Sequence, residues 1–253
     1  MSDDVPKIIW SLWLQGWGEA PEIVRACRAS WTRLNPNWQM HALDSSMLEH
    51  FLGKEVFERL LSTPKEPEAL SDQVRIELLG RYGGVWVDAT AMCSMPLDCW
   101  LPGSMPHGFF AFAQPAPDRM LSSWFLASFR KNYIVREWLK KTREYWETRC
   151  ERDDYFWFHA LFRHLHEADP EFRALWDATP KLSAQHPWHF GPHDTRLTRR
   201  VTEDDIGFLE NPTVPVYKLT YKIIHESDPA SLHDVLCRVA RGTYFNSGDH
   251  IAP

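Results

Sequence analysis

The sequence lacks the cysteine pattern of a disulfide framework or a zinc ribbon. Its 253 residues include five cysteines, an odd number without a Cys-x-x-Cys pair, which favours reduced thiols in a reducing compartment. The acidic start, MSDDVPKIIW, has no basic region followed by a long apolar run, so we expect no signal peptide. Apolar runs such as GFFAFA are far shorter than the roughly 20 residues of a membrane span. We expect a cytoplasmic protein, and peripheral contact with the inner face of the cytoplasmic membrane stays open.

An excess of positive charge and the common nucleotide-binding motifs are also lacking. The net charge is -6, so the chain offers no overall basic field to nucleic acid. The absence of GxxxxGK[ST] and GxGxxG removes the common kinase, ATPase and dinucleotide interpretations, and the absence of GxSxG removes the common serine hydrolase. Tryptophan is abundant, with 13 residues, which is typical of a packed core or of surfaces that stack rings.

The N-terminal half alternates between strand and helix patterns. KIIWSLWL (7–14) and WQMHALD (38–44) have the composition of strands, and a helical stripe between them stops at Pro36. This alternation predicts an α/β fold with a mostly parallel central sheet. FFAFAQ (109–114) indicates a further strand, whereas residues 121–177 show mostly helical periodicity. Because no repeat or low-complexity linker is present, we expect one domain over 1–253.

The segment LSDQVRIELLGRYGGVWVDATAMC, residues 70–93, has clear start and stop signals. Ser71 can cap a helix, Gly83 and Gly84 can end it, and VWVDAT follows as a strand. Asp88 then stands at the C-terminal end of that strand. Ligands of open α/β sheets bind beyond this end of the strands, so we expect Asp88 to point into a crevice.

Asp72 and Arg75 are three residues apart on the preceding helix and should share a face. The acid can accept hydrogen bonds from hydroxyls and the guanidinium can donate them, so the pair could hold a polyol. The alternative is a surface acid near a helix N-terminus with a local ion pair.

The same segment resembles a known family. A helix with Ser-Asp and Arg, then YGG, then a strand ending in Asp is similar to the sugar-nucleotide region of glycosyltransferases related to the capsular polysaccharide synthesis proteins, with α-mannosyltransferase and large clostridial toxin relatives. PKIIWSLWLQG resembles the first strand of that family, and DYFWFHALF and KLTYK resemble later segments. The resemblance implies a GT-A type fold with helices on both faces of the sheet. It also implies a UDP- or GDP-linked sugar donor, hexosyl transfer with retention, and a glycan acceptor that could be lipid-linked, in bacterial capsule or other surface polysaccharide synthesis.

The resemblance also suggests which residues form the site. The expected catalytic residues are Asp72, Asp88 and Asp154. The expected donor-binding residues are Ile9, Trp10, Trp13, Asp72, Arg75, Asp88, Lys218, Tyr221 and Lys222. On the acceptor side, the expected residues are Ser123, Trp124 and His159. The approximate division is a nucleotide-sugar half over 1–120, a helical acceptor-side region over 121–180 and a C-terminal segment over 181–253 that closes the donor site.

The sequence departs from the wider relatives at one expected metal ligand. They carry Asp-x-Asp, whose second acid ligates Mn²⁺ or Mg²⁺, but here Thr90 replaces that acid. A divalent cation is therefore in doubt, and no organic cofactor is expected. Lys218, with Tyr221 and Lys222, could supply donors to a diphosphate without a metal. Alternatively, His225 could complete a metal site with Asp88.

Several other interpretations stay open. The histidines of HPWHFGPH (186–193) have spacings that a zinc site could use, but the prolines and glycine forbid a regular helix, which favours an irregular loop. A nucleotidyltransferase or a sugar-nucleotide hydrolase could use a similar sheet. A glycan-binding module without catalysis could use the tryptophans as stacking surfaces.

Overall fold

The computed structural model describes residues 4–62, 66–223 and 228–245, and the following elements lie in these ranges. The strands are β1 (Ile8–Leu12), β2 (Gln39–Leu43), β3 (Gly84–Val87), β4 (Ala91–Cys93), β5 (Phe109–Ala116), β6 (Arg119–Ser128) and β7 (Val216–Lys218). The helices are α1 (Glu22–Leu34), α2 (Leu48–Leu52), α3 (Lys54–Leu61), α4 (Pro67–Tyr82), α5 (Leu97–Ser104), α6 (Tyr133–Glu147), α7 (Trp157–Ala168), α8 (Pro170–Ala178), α9 (Glu203–Glu210) and α10 (Leu232–Arg241). None of these helices is both long and apolar enough to cross a membrane.

The central sheet has the strand order β2-β1-β3-β6-β5. β1 is parallel to β2 and β3, while β6 is antiparallel to both β3 and β5. Four of the five strands therefore run in one direction, and only β6 runs the other way. The prediction of an α/β fold with a mostly parallel sheet is confirmed. A second, two-stranded sheet pairs β4 with β7 in antiparallel register.

Helices cover both faces of the central sheet, as expected. Trp10 and Trp86 point to one face, where they share a core cluster with residues of α2, α3, α4, α6, α7 and α8. Ile9 and Val85 point to the other face, where Trp31 of α1 and residues of α5 cover them. Because both faces are buried, the strands read as continuous apolar runs.

Two consecutive glycines set the angle between α4 and β3. Gly83 has φ of 68° and Gly84 has φ of 91°, a region that other L-residues seldom adopt. A Cβ atom on Gly84 would lie 2.6 Å from the carbonyl oxygen of Ile8. The missing side chain thus lets β3 approach β1 closely, and Asp88 follows immediately beyond the end of β3.

The structure corrects two element predictions. Residues 121–128 belong to the strand β6 and not to a helix. Seven of the ten residues of this strand are buried, so its sequence lacks the alternation that distinguishes a strand from a helix. Ser71 is not a helix cap, because α4 begins earlier, at Pro67. Proline suits the first helical position, where its missing N–H has no partner to lose. Asp72 is therefore inside α4 and buried.

Candidate active site

A cavity of about 260 Å³ opens beyond the C-terminal ends of β1 and β3. Its walls come from the segment after β1, the N-terminal half of α4, the turn after β3, the start of α7 and the segment around β7. These segments are far apart in sequence and meet at one edge of the sheet, which is where an open α/β sheet places its ligand.

Arg75 lies at the centre of the polar side chains in the cavity. Its Nη1 atom is 2.8 Å from Oδ1 of Asp72, and its Nη2 atom is 3.2 Å from Oδ1 of Asp88. Nη1 also donates to the carbonyl oxygen of Ser123 at 3.0 Å. The guanidinium is 5.2 Å from the ring centre of Trp86, a cation–π contact. One fixed positive charge therefore holds two carboxylates beside the cavity.

Asp72 has an unusual protonation equilibrium. Burial raises the pKa of its carboxyl to about 7, against the opposing effect of Arg75, and the negative charge of Asp88 adds to the rise. Burial outweighs the ion pair because removing a carboxylate from water is more unfavourable than one partner can offset. Near neutral pH, Asp72 is therefore present in both protonated and ionised forms.

Lys218 occupies the position opposite Asp88. Pairing of β4 with β7 aligns Ala91 with Lys218, and the Leu219 N–H donates to the Thr90 carbonyl oxygen at 2.9 Å. The Lys218 ammonium then donates to the hydroxyl of Thr90 and lies 3.7 Å from Oδ2 of Asp88. Burial lowers the pKa of Lys218, although the charge of Asp88 opposes this.

The groups that contact the Asp88 carboxylate are N–H donors and not metal ligands, so they fit a divalent cation poorly. Oδ1 accepts from Nη2 of Arg75 and from Nε1 of Trp86, at 3.2 and 3.1 Å, while Oδ2 faces Lys218. A metal ion would have to compete with two cations and a neutral indole N–H for the same carboxylate. The part of the chain that the structure describes has no group of three or more His, Cys, Asp or Glu side chains placed to hold a metal. His225 lies outside the described residues.

Aromatic and charged side chains surround the cavity entrance. Tyr155 and Tyr221 are 54% and 41% exposed, and the ring of Tyr221 meets the ring of Trp13 edge to face at 5.1 Å. Lys222 lies 3.8 Å from Glu68 across the entrance. Exposed aromatic faces of this kind can stack on a base or a sugar ring.

The structure brings most of the predicted site residues to this cavity. Those that line it are Trp13, Asp72, Arg75, Asp88, Ser123, His159, Lys218, Tyr221 and Lys222. Sequence reasoning missed Glu68 and Tyr155. Glu68 was missed because the start of α4 was placed too late, and no pattern in the sequence singled out Tyr155.

Four predicted residues lie outside the cavity lining. Ile9 and Trp10 are buried in the core, where Trp10 stacks on His41 at 4.7 Å, because β1 is covered on both faces. Trp124 is buried against Phe112 at 4.8 Å.

Asp154 is the fourth of these residues, and it is exposed ahead of α7. Its carboxylate accepts from the Phe156 N–H at 2.7 Å, which is a local turn contact. None of the four is therefore placed to contact a ligand in this cavity.

The fold and the site together define a class: an α/β protein with an open, mostly parallel sheet and a charged ligand cavity beyond the ends of its strands. The sequence model of the capsular polysaccharide synthesis protein family matches residues 2–236. The chain belongs to this family.

Curated proteins similar to the chain include three from fungi. The chain is 28% identical to the O-glycosyltransferase braB of Annulohypoxylon truncatum, over 63% of the chain and 42% of braB. It is 26% identical to the glycosyltransferase afumC of Aspergillus fumigatus, over 74% of the chain and 50% of afumC. It is also 26% identical to the O-glycosyltransferase PaGT of Phomopsis amygdali, over 64% of the chain and 44% of PaGT. The chain spans about half the length of these relatives or less.

A solved structure, PaToxG Glycosyltransferase, is similar at 17% identity with a TM-score of 0.48, over 69% of this chain and 74% of that one.

Proposed function

We propose that the protein is a glycosyltransferase, of the hexosyltransferase kind, that moves a sugar from a UDP- or GDP-linked donor to a glycan acceptor. The observation that carries this proposal is the cavity in which Arg75 holds Asp72 and Asp88 while Lys218 faces Asp88. Carboxylates can accept from sugar hydroxyls, and the cations can approach phosphate oxygens. The glycosyltransferase names of the fungal relatives support the same activity.

In the proposed reaction, the bond between the anomeric carbon and the donor phosphate oxygen breaks, and a bond to an acceptor hydroxyl oxygen forms. The acceptor proton passes to the departing phosphate oxygen, so no protein base is required, and attack from the face of departure gives retention. The protein contributes by holding both substrates in attack geometry and by stabilising the diphosphate as negative charge develops.

Lys218 is proposed to supply the charge that the second acid of Asp-x-Asp supplies through a metal in the wider relatives. Its ammonium contacts Thr90, the residue that replaces that acid. Arg75 and Lys222 are further cationic side chains that line the cavity. Transfer then proceeds without Mn²⁺ or Mg²⁺.

The biological setting forms a separate part of the proposal. The family description points to capsule or other surface polysaccharide synthesis, whereas the named relatives are fungal O-glycosyltransferases and a glycosyltransferase. We place the protein in the cytoplasm, where nucleotide-sugars are made, with an acceptor that is a glycan and could be lipid-linked at the membrane.

Calorimetry with UDP-, GDP- and CMP-sugars, with and without Mn²⁺, tests this function. We expect one nucleotide-sugar to bind in the absence of metal, and Asp88→Ala to abolish turnover in a variant that circular dichroism shows is still folded. If no nucleotide-sugar binds under any condition, the transferase proposal is wrong. Binding followed only by hydrolysis of the donor would favour a sugar-nucleotide hydrolase.

A further inference from the structure

His159 lies on the first turn of α7 and lines the cavity together with Arg75 and Ser123. Its Nδ1 atom is buried and has no hydrogen-bond partner among the described residues. Its nearest aromatic neighbours, Phe156 and Phe158, have ring centres at 5.7 and 6.4 Å. Nε2 is therefore the ring nitrogen left to reach a ligand.

This burial decides which nitrogen carries the proton. A neutral imidazole has one N–H donor and one lone pair that accepts. A proton on Nδ1 would bury a donor without an acceptor, which is among the rarest arrangements in proteins. A proton on Nε2 instead leaves the buried Nδ1 atom with only a bare lone pair. The N–H then belongs to the ring nitrogen that remains available to the cavity that His159 lines.

Burial and the two nearby guanidinium groups keep the ring neutral. Burial lowers the pKa of His159 to about 3, and the positive charges of Arg75 and Arg119 lower it further, while Asp88 and Asp118 oppose the change. A group with so low a pKa is unprotonated throughout the neutral range and gains a proton only in acid. His159 consequently carries no charge when the protein works.

We infer that His159 is a fixed, uncharged hydrogen-bond donor that binds a hydroxyl oxygen of the donor sugar through Nε2–H. This inference rests on the proposed function. It moves His159 from the acceptor side, where the resemblance placed it, to the donor sugar, because His159 lines the same cavity as Asp72 and Arg75. It also assigns His159 to binding and removes it as a general base, because Nε2 already carries its proton.

The first test needs no ligand. Long-range ¹H–¹⁵N correlation spectra of uniformly labelled protein distinguish the two neutral tautomers, and the His159→Gln variant identifies the His159 signals by their loss. We expect the Nε2–H form at every pH from about 5 to 8, with no titration in that interval. A proton on Nδ1, or a titration midpoint near the ordinary histidine value, would overturn the inference.

The second test measures the sugar contact. Calorimetry compares UDP with UDP-glucose and GDP with GDP-mannose for His159→Gln, His159→Asn and His159→Phe. Glutamine can place an N–H near the Nε2 position, whereas asparagine places its amide near Nδ1 and phenylalanine has no donor. We expect glutamine to keep the affinity within about twofold, and asparagine and phenylalanine to weaken nucleotide-sugar binding by about fivefold while free nucleotide affinity is unchanged.

Equal weakening of nucleotide and nucleotide-sugar by phenylalanine, or no weakening of either, would overturn the sugar contact. His164→Gln, at an exposed position on the same helix, is the matched control and should leave both affinities unchanged. If the wild-type protein binds no nucleotide-sugar, the proposed function fails and the sugar contact fails with it. The tautomer measured by the first test is independent of that outcome.

Discussion

Thr90 lies two positions beyond Asp88, and its hydroxyl accepts a hydrogen bond from the Lys218 ammonium. The two residues are 128 positions apart, and their contact depends on the pairing of β4 with β7. By contrast, the grouping of Asp72 with Arg75 follows from helical spacing alone and is confirmed by their ion pair.

Asp72 should make the stability of the protein depend on pH. Its pKa in the folded protein is about 7, against an ordinary value of 3.8, so the folded state holds the proton more tightly. The protonated Asp72 carboxyl therefore stabilises the folded state at pH values below its unfolded pKa, and this stabilisation is lost as the pH rises toward 7. We expect the free energy of unfolding of the wild type, relative to Asp72→Asn, to fall by about 2.5 kcal/mol between about pH 5 and pH 8.

Urea denaturation of both proteins at the two pH values measures this difference. Subtracting the variant removes the contributions of other groups that titrate in the same range. A difference that stays constant or rises with pH would mean that Asp72 is ionised in the folded protein throughout.

At the scale of elements, the glycine pair between α4 and β3 is the feature most readable from sequence. Gly84→Ala should reduce the free energy of unfolding by about 3 kcal/mol or more, because φ is 91° and the new Cβ would lie 2.6 Å from the Ile8 carbonyl oxygen. Chemical denaturation checks the value.

Gly103→Ala is the matched control for this substitution. Gly103 lies in α5, and a Cβ added there would have no atom of another segment within 4 Å, so alanine should be neutral or stabilise by about 0.5 kcal/mol. Similar losses for the two variants would contradict the role given to the close approach of β3 and β1.

Glu77 joins three helices beneath the site. Its carboxylate, with 5% of the side chain exposed, bonds Arg59 of α3 and Arg143 of α6, each at 2.6 Å. Glu77→Gln should lower the free energy of unfolding by about 2 kcal/mol, because two cations lose their common partner. Glu58→Gln, in an exposed pair with Lys54 at 3.8 Å, should change it by less than about 0.5 kcal/mol. Thermal and urea denaturation measure both variants. Equal losses of stability for Glu77→Gln and Glu58→Gln would show that the Glu77 network is no stronger than a surface pair.

The two errors in element prediction have a common physical cause. Because β6 is buried on both faces, its sequence lacks the alternation that would have identified it as a strand. In α4 the buried residues Val74, Leu78 and Leu79 show that a helix is present, but they do not show where it starts. The alternation of strand, helix and strand in the first 44 residues was readable because α1 ends clearly before Pro36.

At the scale of the whole molecule, the site depends on a C-terminal segment that returns to the sheet. β7 pairs with β4, and the segment after it brings Tyr221 and Lys222 to the cavity entrance. The resemblance of KLTYK to a family segment indicated that these residues belong to the site. Their partners could not be predicted, because nothing in either segment encodes its long-range neighbour.

In the proposed reaction, this cavity cleaves a nucleotide-sugar with protein cations in place of a metal ion. The most direct measurement is the rate of nucleoside diphosphate release from the nucleotide-sugar that binds most tightly, in EDTA, for wild type, Lys218→Met and the exposed control Lys54→Met. We predict that wild type and Lys54→Met turn over at equal rates in EDTA, and that Lys218→Met is slower by about 100-fold. If wild-type turnover is lost in EDTA and recovers in Mn²⁺, the reaction requires a metal ion and the proposal is wrong. A Lys218→Met rate equal to that of wild type would contradict the role given to Lys218.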